Sequence, residues 1–302
     1  MNISAQQVKK LRDATGVGMM ECKQALTENQ GDMDKAILWL RERGMSRAAK
    51  KAGRTAAEGM VEFAVSADGK EAVILELNCE TDFASKNEAF RLLAKEAALA
   101  ALKNKSADLE SVKNLSLGSD TFNGKLTQLI TQVGENMNLR RVQYVHVKDG
   151  YIGSYNHMHG KIGVLVVFNG EVNEKLKTAA VDVSMHIAAS SPRFLRREEV
   201  SPLEFEQEQA LARKKLMEEQ SKKPPEMLEK ILVGQMSKFF GEVCLLEQPF
   251  VKEPKMSVAE YLRQSEVKAQ PSSFVRYQLG DGIEVKEENF ADEVAAQVKK
   301  SL

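Results

Sequence analysis

Asn78-Cys79-Glu80-Thr81-Asp82-Phe83-Ala84-Ser85-Lys86-Asn87 is the stretch on which the fold turns. Before it, Ala72-Val73-Ile74-Leu75-Glu76-Leu77 is an apolar run broken once by charge, which predicts a buried strand. After it, Phe90, Leu93, Ala97 and Ala101 fall at helical spacing within Glu88 to Leu102, which predicts an amphipathic helix. The stretch between is therefore a strand-to-helix corner. Thr81 and Asp82 are both good N-cap residues for a helix starting here. Phe83 comes next, where capping does not call for a large aromatic. It is either a staple packed back on Phe90 or a plug for another molecule's pocket. Pattern alone favours the staple, because most aromatics near helix starts are packing residues.

Working outward, the N-terminal side is helical. Ser4 with Gln7 makes a capping-box start, and Val8 and Leu11 mark one apolar face. Thr15-Gly16-Val17-Gly18 breaks that helix, Met19 to Leu26 forms a second, and Asp32 caps a third that carries Ala36, Ile37, Trp39 and Leu40 up to Gly44. Met19 and Met20 are core filler or an adaptable contact surface. Adjacent residues on a short helix cannot both point inward, so at least one is expected outside. Arg41 to Arg54 is rich in cations and reads as a solvated linker, with RNA or acidic-partner contact through Arg47–Arg54 as its second reading.

Between this unit and the corner, Met60 to Val65 pairs with the Ala72–Leu77 strand through an Asp68-Gly69 turn. Beyond the corner come a polar loop from Asp108 to Asp120, a helix from Phe122 to Met137 and a strand from Arg140 to Val147. The order then recurs. Tyr151–Tyr155 and Ile162–Val167 make a second hairpin, Asn169-Gly170-Glu171 stands in the place of the corner, and Leu176–Ala189 is its helix. Met227–Phe240 is the next helix and Gly241–Leu246 the closing strand, so an internal duplication is expected. The second copy has no counterpart of Thr81-Asp82-Phe83, which argues that Phe83 is more than packing.

Ser201-Pro202-Leu203-Glu204 starts a helix that Lys222-Lys223-Pro224-Pro225 stops, and Glu226 begins the return. This inserted hairpin is a pair packed on the core or a projecting arm. Ser257-Val258-Ala259-Glu260 is another capping box, Ser272–Leu279 a strand, and Asn289–Leu302 a final helix with Phe290, Val294 and Val298 four apart.

Composition narrows the function. Lysine plus arginine equals aspartate plus glutamate, 43 each, and a zero net charge argues against a general nucleic-acid binder. The three cysteines, Cys22, Cys79 and Cys244, are odd in number and far apart, as reduced thiols of a cytoplasmic protein would be. No apolar run reaches membrane-spanning length, and the first residues lack the regions of a signal peptide. Neither a P-loop nor a third ligand for His157-x-His159 is present, and Cys79 lacks the surroundings of a cysteine nucleophile. No catalytic residue, metal or cofactor is expected.

Two motifs resemble a known family. Leu11-Arg12-x-x-Thr15-Gly16-x-Gly18-Met19-Met20-x-Cys22-Lys23-x-Ala25-Leu26 is similar to the N-terminal domain of bacterial elongation factor Ts, a small ubiquitin-associated-like helical unit. Thr81-Asp82-Phe83-Ala84 resembles that family's Thr-Asp-Phe-Val signature, with alanine where valine is usual. The resemblance implies an α+β protein. Its parts would be an N-terminal three-helix domain over 1–54, a core subdomain over 55–147, a second over 148–255 with the hairpin inserted at about 201–226, and a C-terminal module over 256–302. It also implies a nucleotide-exchange factor of the GTPase elongation factor Tu. Thr81, Asp82, Phe83 and Ala84 would dislodge the partner's magnesium ion, and Arg12, Met19, Met20 and Lys23 would contact its GTPase domain. A homodimer through the hairpin is a further expectation. The rival reading is a passive protein- or RNA-binding, chaperone-like module.

Overall fold

Two small antiparallel sheets lie face to face, with helices covering both outer sides, in a computed structural model that describes residues 3–220 and 223–284. The mixture of helices with small antiparallel sheets is an α+β architecture.

The chain opens with α1 (Ala5–Thr15), α2 (Met19–Glu28) and α3 (Met33–Lys51), capped by Ser4, Gly18 and Asp32. The Ser4–Gln7 capping box is formed in both directions. Val8, Leu11, Cys22, Leu26, Ala36 and Leu40 close a small core of their own. α3 does not stop at Gly44 to leave a linker. Gly44 is buried against α7 (Phe122–Val133), and a Cβ there would lie 2.9 Å from Thr131 Oγ1. The glycine is thus a close-approach residue rather than a terminator, and the Ala, Arg and Lys residues after it keep the helix going. Ala48 packs onto the core of the next unit.

The first sheet has the order β1 (Glu58–Val65), β2 (Glu71–Cys79), β5 (Met137–His146), all antiparallel. Period-two alternation divides β2 cleanly. Val73, Leu75, Leu77 and Cys79 face the outer helices, whereas Ala72 and Ile74 face the other sheet. Between β2 and β5 run α4 (Asp82–Ser85), α5 (Glu88–Asn104), α6 (Leu109–Lys113), the two-residue strands β3 (Ser116–Leu117) and β4 (Asp120–Thr121), and α7. The segment from Asp108 to Asp120 is therefore not simply a loop, since the Asp108 side chain caps α6.

The second sheet, β6 (Gly150–His157), β7 (Ile162–Asn169) and β10 (Gln270–Gln278), also has its middle strand in the centre. α8 (Glu174–Ser190) backs it. Its third strand is not Gly241–Leu246. That apolar run ends α10 (Pro225–Val243) and enters a tight turn at Leu245–Glu247, and only Cys244 bridges, to Phe194. Cys244 and Leu245 are buried through this turn, so their hydrophobicity reported burial and not extended backbone. α9 (Pro202–Gln220) and α10 form the hairpin, closed by a separate cluster of Leu216, Leu232 and Met236. β8 (Pro249–Phe250), β9 (Glu253–Ser257) and α11 (Val258–Gln264) complete the second half, with the Ser257–Glu260 capping box formed. The expected helix Asn289–Leu302 lies outside the described residues.

One buried charge joins the halves. Glu76 on β2 is fully buried, and its carboxylate accepts from Arg140 Nη1 at 3.1 Å and Arg141 Nε at 2.5 Å. It also accepts the Gly280 N–H at 2.9 Å and Asn78 Nδ2 at 3.0 Å. Arg141 Nη2 reaches the Gln278 carbonyl at 2.8 Å. A buried carboxylate needs this many donors to offset its lost hydration. Here those donors latch the end of β10 onto the first sheet.

Candidate functional site

The corner is built by two caps in succession. Thr81 caps α4, its hydroxyl accepting the Ala84 N–H at 3.2 Å, and Asn87 caps α5 through the Ala89 N–H at 2.9 Å. Asp82 is not a cap; it is the first residue of α4. Successive residues of a helix point about 100° apart. When Ala84 and Ser85 turn into the core, Phe83 is therefore carried outward. Phe83 is 80 % exposed, whereas Phe90 is sealed in the first core. The staple that pattern favoured is not there. Lys86 leans over the corner, its Nζ 5.7 Å from the Phe83 ring centre and 2.6 Å from Asp82 Oδ2. That ammonium holds the Asp82 carboxyl below the usual carboxylate range.

Beneath the exposed ring the backbone is held firmly. Thr81 donates twice to Glu135: its N–H to Oε2 at 3.0 Å and its hydroxyl to Oε1 at 2.8 Å. In return Glu80 Oε1 accepts the Asn136 N–H at 2.5 Å, while Asn136 Nδ2 donates to the Arg54 carbonyl at 2.7 Å. Cys79 Sγ–H points to the Thr81 carbonyl at 3.1 Å. Burial, with Glu135 and Glu58 nearby, pushes the Cys79 thiol up to about 12, so it stays protonated and is a poor nucleophile.

The other residues singled out from sequence lie on the helical unit, and all are exposed. Arg12 is in the last turn of α1, and Met19, Met20 and Lys23 are on the first turns of α2. Met20 is 77 % exposed and Met19 42 %, while Cys22, Ala25 and Leu26 face inward. The end of α7 links this patch to the corner: Gln132 Nε2 donates to the Thr15 carbonyl at 2.9 Å, and Glu135 comes three residues later. In the basic stretch, Arg47 pairs with Glu21 and Arg54 with Glu80, so these two cations are engaged within the chain.

The histidine pair is separated by the turn it enters. β6 ends at His157, whose Nδ1 lies 3.1 Å from the Tyr155 hydroxyl, and His159 sits in a left-handed turn residue at φ 55°. Among the described residues no group of three or more His, Cys, Asp or Glu is arranged to hold a metal ion. No described helix is long and apolar enough to cross a membrane. Glu135 escaped the sequence pattern. Gly134-Glu135-Asn136 looks like an ordinary helix stop, and nothing local ties it to a threonine 54 residues away.

The corner is thus a rigid backbone, tied to the Glu135–Asn136 loop, that leaves an aromatic side chain in solvent. The family model described as Elongation factor TS matches residues 80–281, which begins at this corner and covers more than half of the chain. The chain belongs to the elongation factor Ts family, a family of translation elongation factors.

Proposed function

We propose that this protein acts in the cytoplasm as the guanine nucleotide exchange factor of elongation factor Tu, binding its GDP form and promoting GDP release so that GTP can load. The observation that carries this reading is the outward Phe83 on a backbone fixed by Glu135. An exchange factor makes and breaks no bonds. It binds the nucleotide-free partner more tightly than the loaded one, and by linkage the nucleotide loses as much affinity as the factor does. Weakening a nucleotide about a thousandfold takes about 4 kcal/mol of differential binding. Burying one phenylalanine supplies about 2–3 kcal/mol, so Phe83 needs help from other contacts.

The roles assigned are those the family resemblance implies, and the arithmetic requires several of them to act together. Phe83 wedges between helices of the GTPase domain beside its magnesium site, with Thr81, Asp82 and Ala84 setting its position. Magnesium tolerates distorted octahedral geometry poorly, so a small shift of its ligands loosens the ion and then the diphosphate. Arg12, Met19, Met20 and Lys23 grip the same domain from the helical unit. The α9–α10 hairpin, with Leu203, Leu211 and Val233 exposed, is the surface for self-association. The test is release of fluorescent GDP from purified elongation factor Tu. Wild type accelerates release, and Phe83→Ala slows it at least tenfold. Equal rates for the two would refute the wedge. Binding with no change in the nucleotide off-rate would make the chain a passive module instead.

A further inference from the structure

α4 is a single turn of four residues, too short to hold its own shape. Its aromatic gains little orientation from packing, since the ring is largely exposed, with Lys86 Nζ lying over it. The direction of Phe83 must therefore come from the backbone below. That backbone has more support than a helix start requires. In the second half the strand-to-helix corner has a single cap, the Asn173 side chain accepting the Leu176 N–H at 2.9 Å, as Asn87 does for α5 in the first half. At Thr81 the cap is itself gripped, because both oxygens of Glu135 accept from the two donors of that one residue. Glu135 comes from a distant loop, between the left-handed Gly134 that ends α7 and the start of β5.

We propose that Glu135 is a positioning residue for exchange: it fixes the Thr81 cap and through it the outward aim of Phe83. This rests on the wedge role of that ring. The carboxylate needs no contact with the partner. It acts by removing the alternative directions in which a one-turn helix could carry the ring, so that less ordering remains to be done on binding. A glutamine at 135 keeps the size but loses the charge, so both arms weaken, and the hydroxyl arm has to reverse, the amide N–H₂ donating to the Thr81 oxygen that already accepts the Ala84 N–H. The Glu80–Asn136 bond beside it stays in place to hold the loop.

The experiment is a double-mutant cycle in the GDP-release assay, with purified full-length chains at saturating concentration over elongation factor Tu. Glu135→Gln is expected to slow release about tenfold, and Thr81→Val, which loses both the hydroxyl arm and the hydroxyl cap on the Ala84 N–H, at least as much. In the Phe83→Ala background Glu135→Gln should change the rate by less than about twofold, because it has nothing left to aim. A wild-type rate for Glu135→Gln, or a full tenfold loss persisting without Phe83, overturns the proposal while leaving the wedge intact. A lowered melting temperature with an unchanged rate also overturns it and makes Glu135 a fold-stabilising residue. If Phe83→Ala itself releases GDP as fast as wild type, the wedge reading fails and this assignment with it. Should Glu135→Gln not fold, Glu135→Asp, which keeps the charge but shortens the reach to both Thr81 donors, closes the same cycle with Phe83→Ala: a slowed release that vanishes without the ring is expected, and a wild-type rate or a loss that persists without Phe83 overturns the proposal.

Discussion

The two halves of the core solve the same turn in different ways. Each has a central strand that ends, turns a corner and enters a helix on the outside of its sheet. Between β7 and α8 the passage takes four residues, 170–173; between β2 and α5 it takes eight, 80–87. The additional length is the one-turn helix α4. The short corner also carries an exposed apolar residue, Val172, but the strand behind it is apolar through Phe168. Its ties are light: the Gly170 N–H donates to the Asp149 carbonyl at 2.9 Å, and Glu171 pairs with Lys268 at the surface. The long corner is preceded by two buried polar residues, Glu76 and Asn78, and is bound to the Glu135–Asn136 loop through side-chain carboxylates. A corner that only has to reverse the chain can be short and apolar. One that has to present a side chain in a fixed direction draws on polar anchors on both sides.

The contrast can be attacked at its strongest point first. Glu76→Ala strands Arg140 and Arg141 and frees the Gly280 N–H, so it should cost about 3–5 kcal/mol in urea unfolding. Replacing the fully buried Val166 of β7 by alanine should cost about 2 kcal/mol, a packing loss without any charge left behind. Next, grafting the short corner in place of 80–87 should leave the circular dichroism spectrum of a folded protein while reducing GDP release to the level of Phe83→Ala. An unchanged release rate would mean that the extra turn is not what distinguishes the halves.

A third test concerns the second half alone. His186 is fully buried on α8, with Nε2 2.9 Å from Gln248 Oε1, and its Nδ1 accepts the Val251 N–H at 3.1 Å. Burial pushes its pKa down. Its folded value is therefore below the unfolded one, and the unfolded chain binds more protons in the interval between them. The stabilisation from the neutral ring is present above the unfolded value of 6.5 and is lost as pH falls below it. Urea midpoints should decline from pH 7 to pH 5, and His186→Asn should flatten that slope. At the weak end, Val172→Ala should shift stability by no more than about 0.5 kcal/mol and leave exchange untouched.

Much of the fold was legible because it was written locally. Ser4-x-x-Gln7 and Ser257-x-x-Glu260 announced their helices, and Asp68-Gly69 announced the first hairpin. What could not be read depended on residues far apart. Gly44 looks like a stop until Thr131 is placed beside it, and Gly241–Leu246 looks like a strand until Phe194 accounts for its burial. The site divided in the same way. Its exposed side chains stand in two compact motifs, Thr81 to Ala84 and Arg12 to Lys23. Pattern gave the wrong odds on Phe83, because the aim of one side chain depends on a cap and the cap depends on Glu135.

α3 carries a mechanical consequence. Because it runs without a break to Lys51, and Arg54 is then bonded to both Glu80 and Asn136, residues 3–51 are not a ball on a string. They are the long arm of a bell crank whose pivot is the corner. On the docking proposed above, a partner that grips the methionine end takes the phenylalanine end at a set angle, and a misfit at one end is felt as leverage at the other.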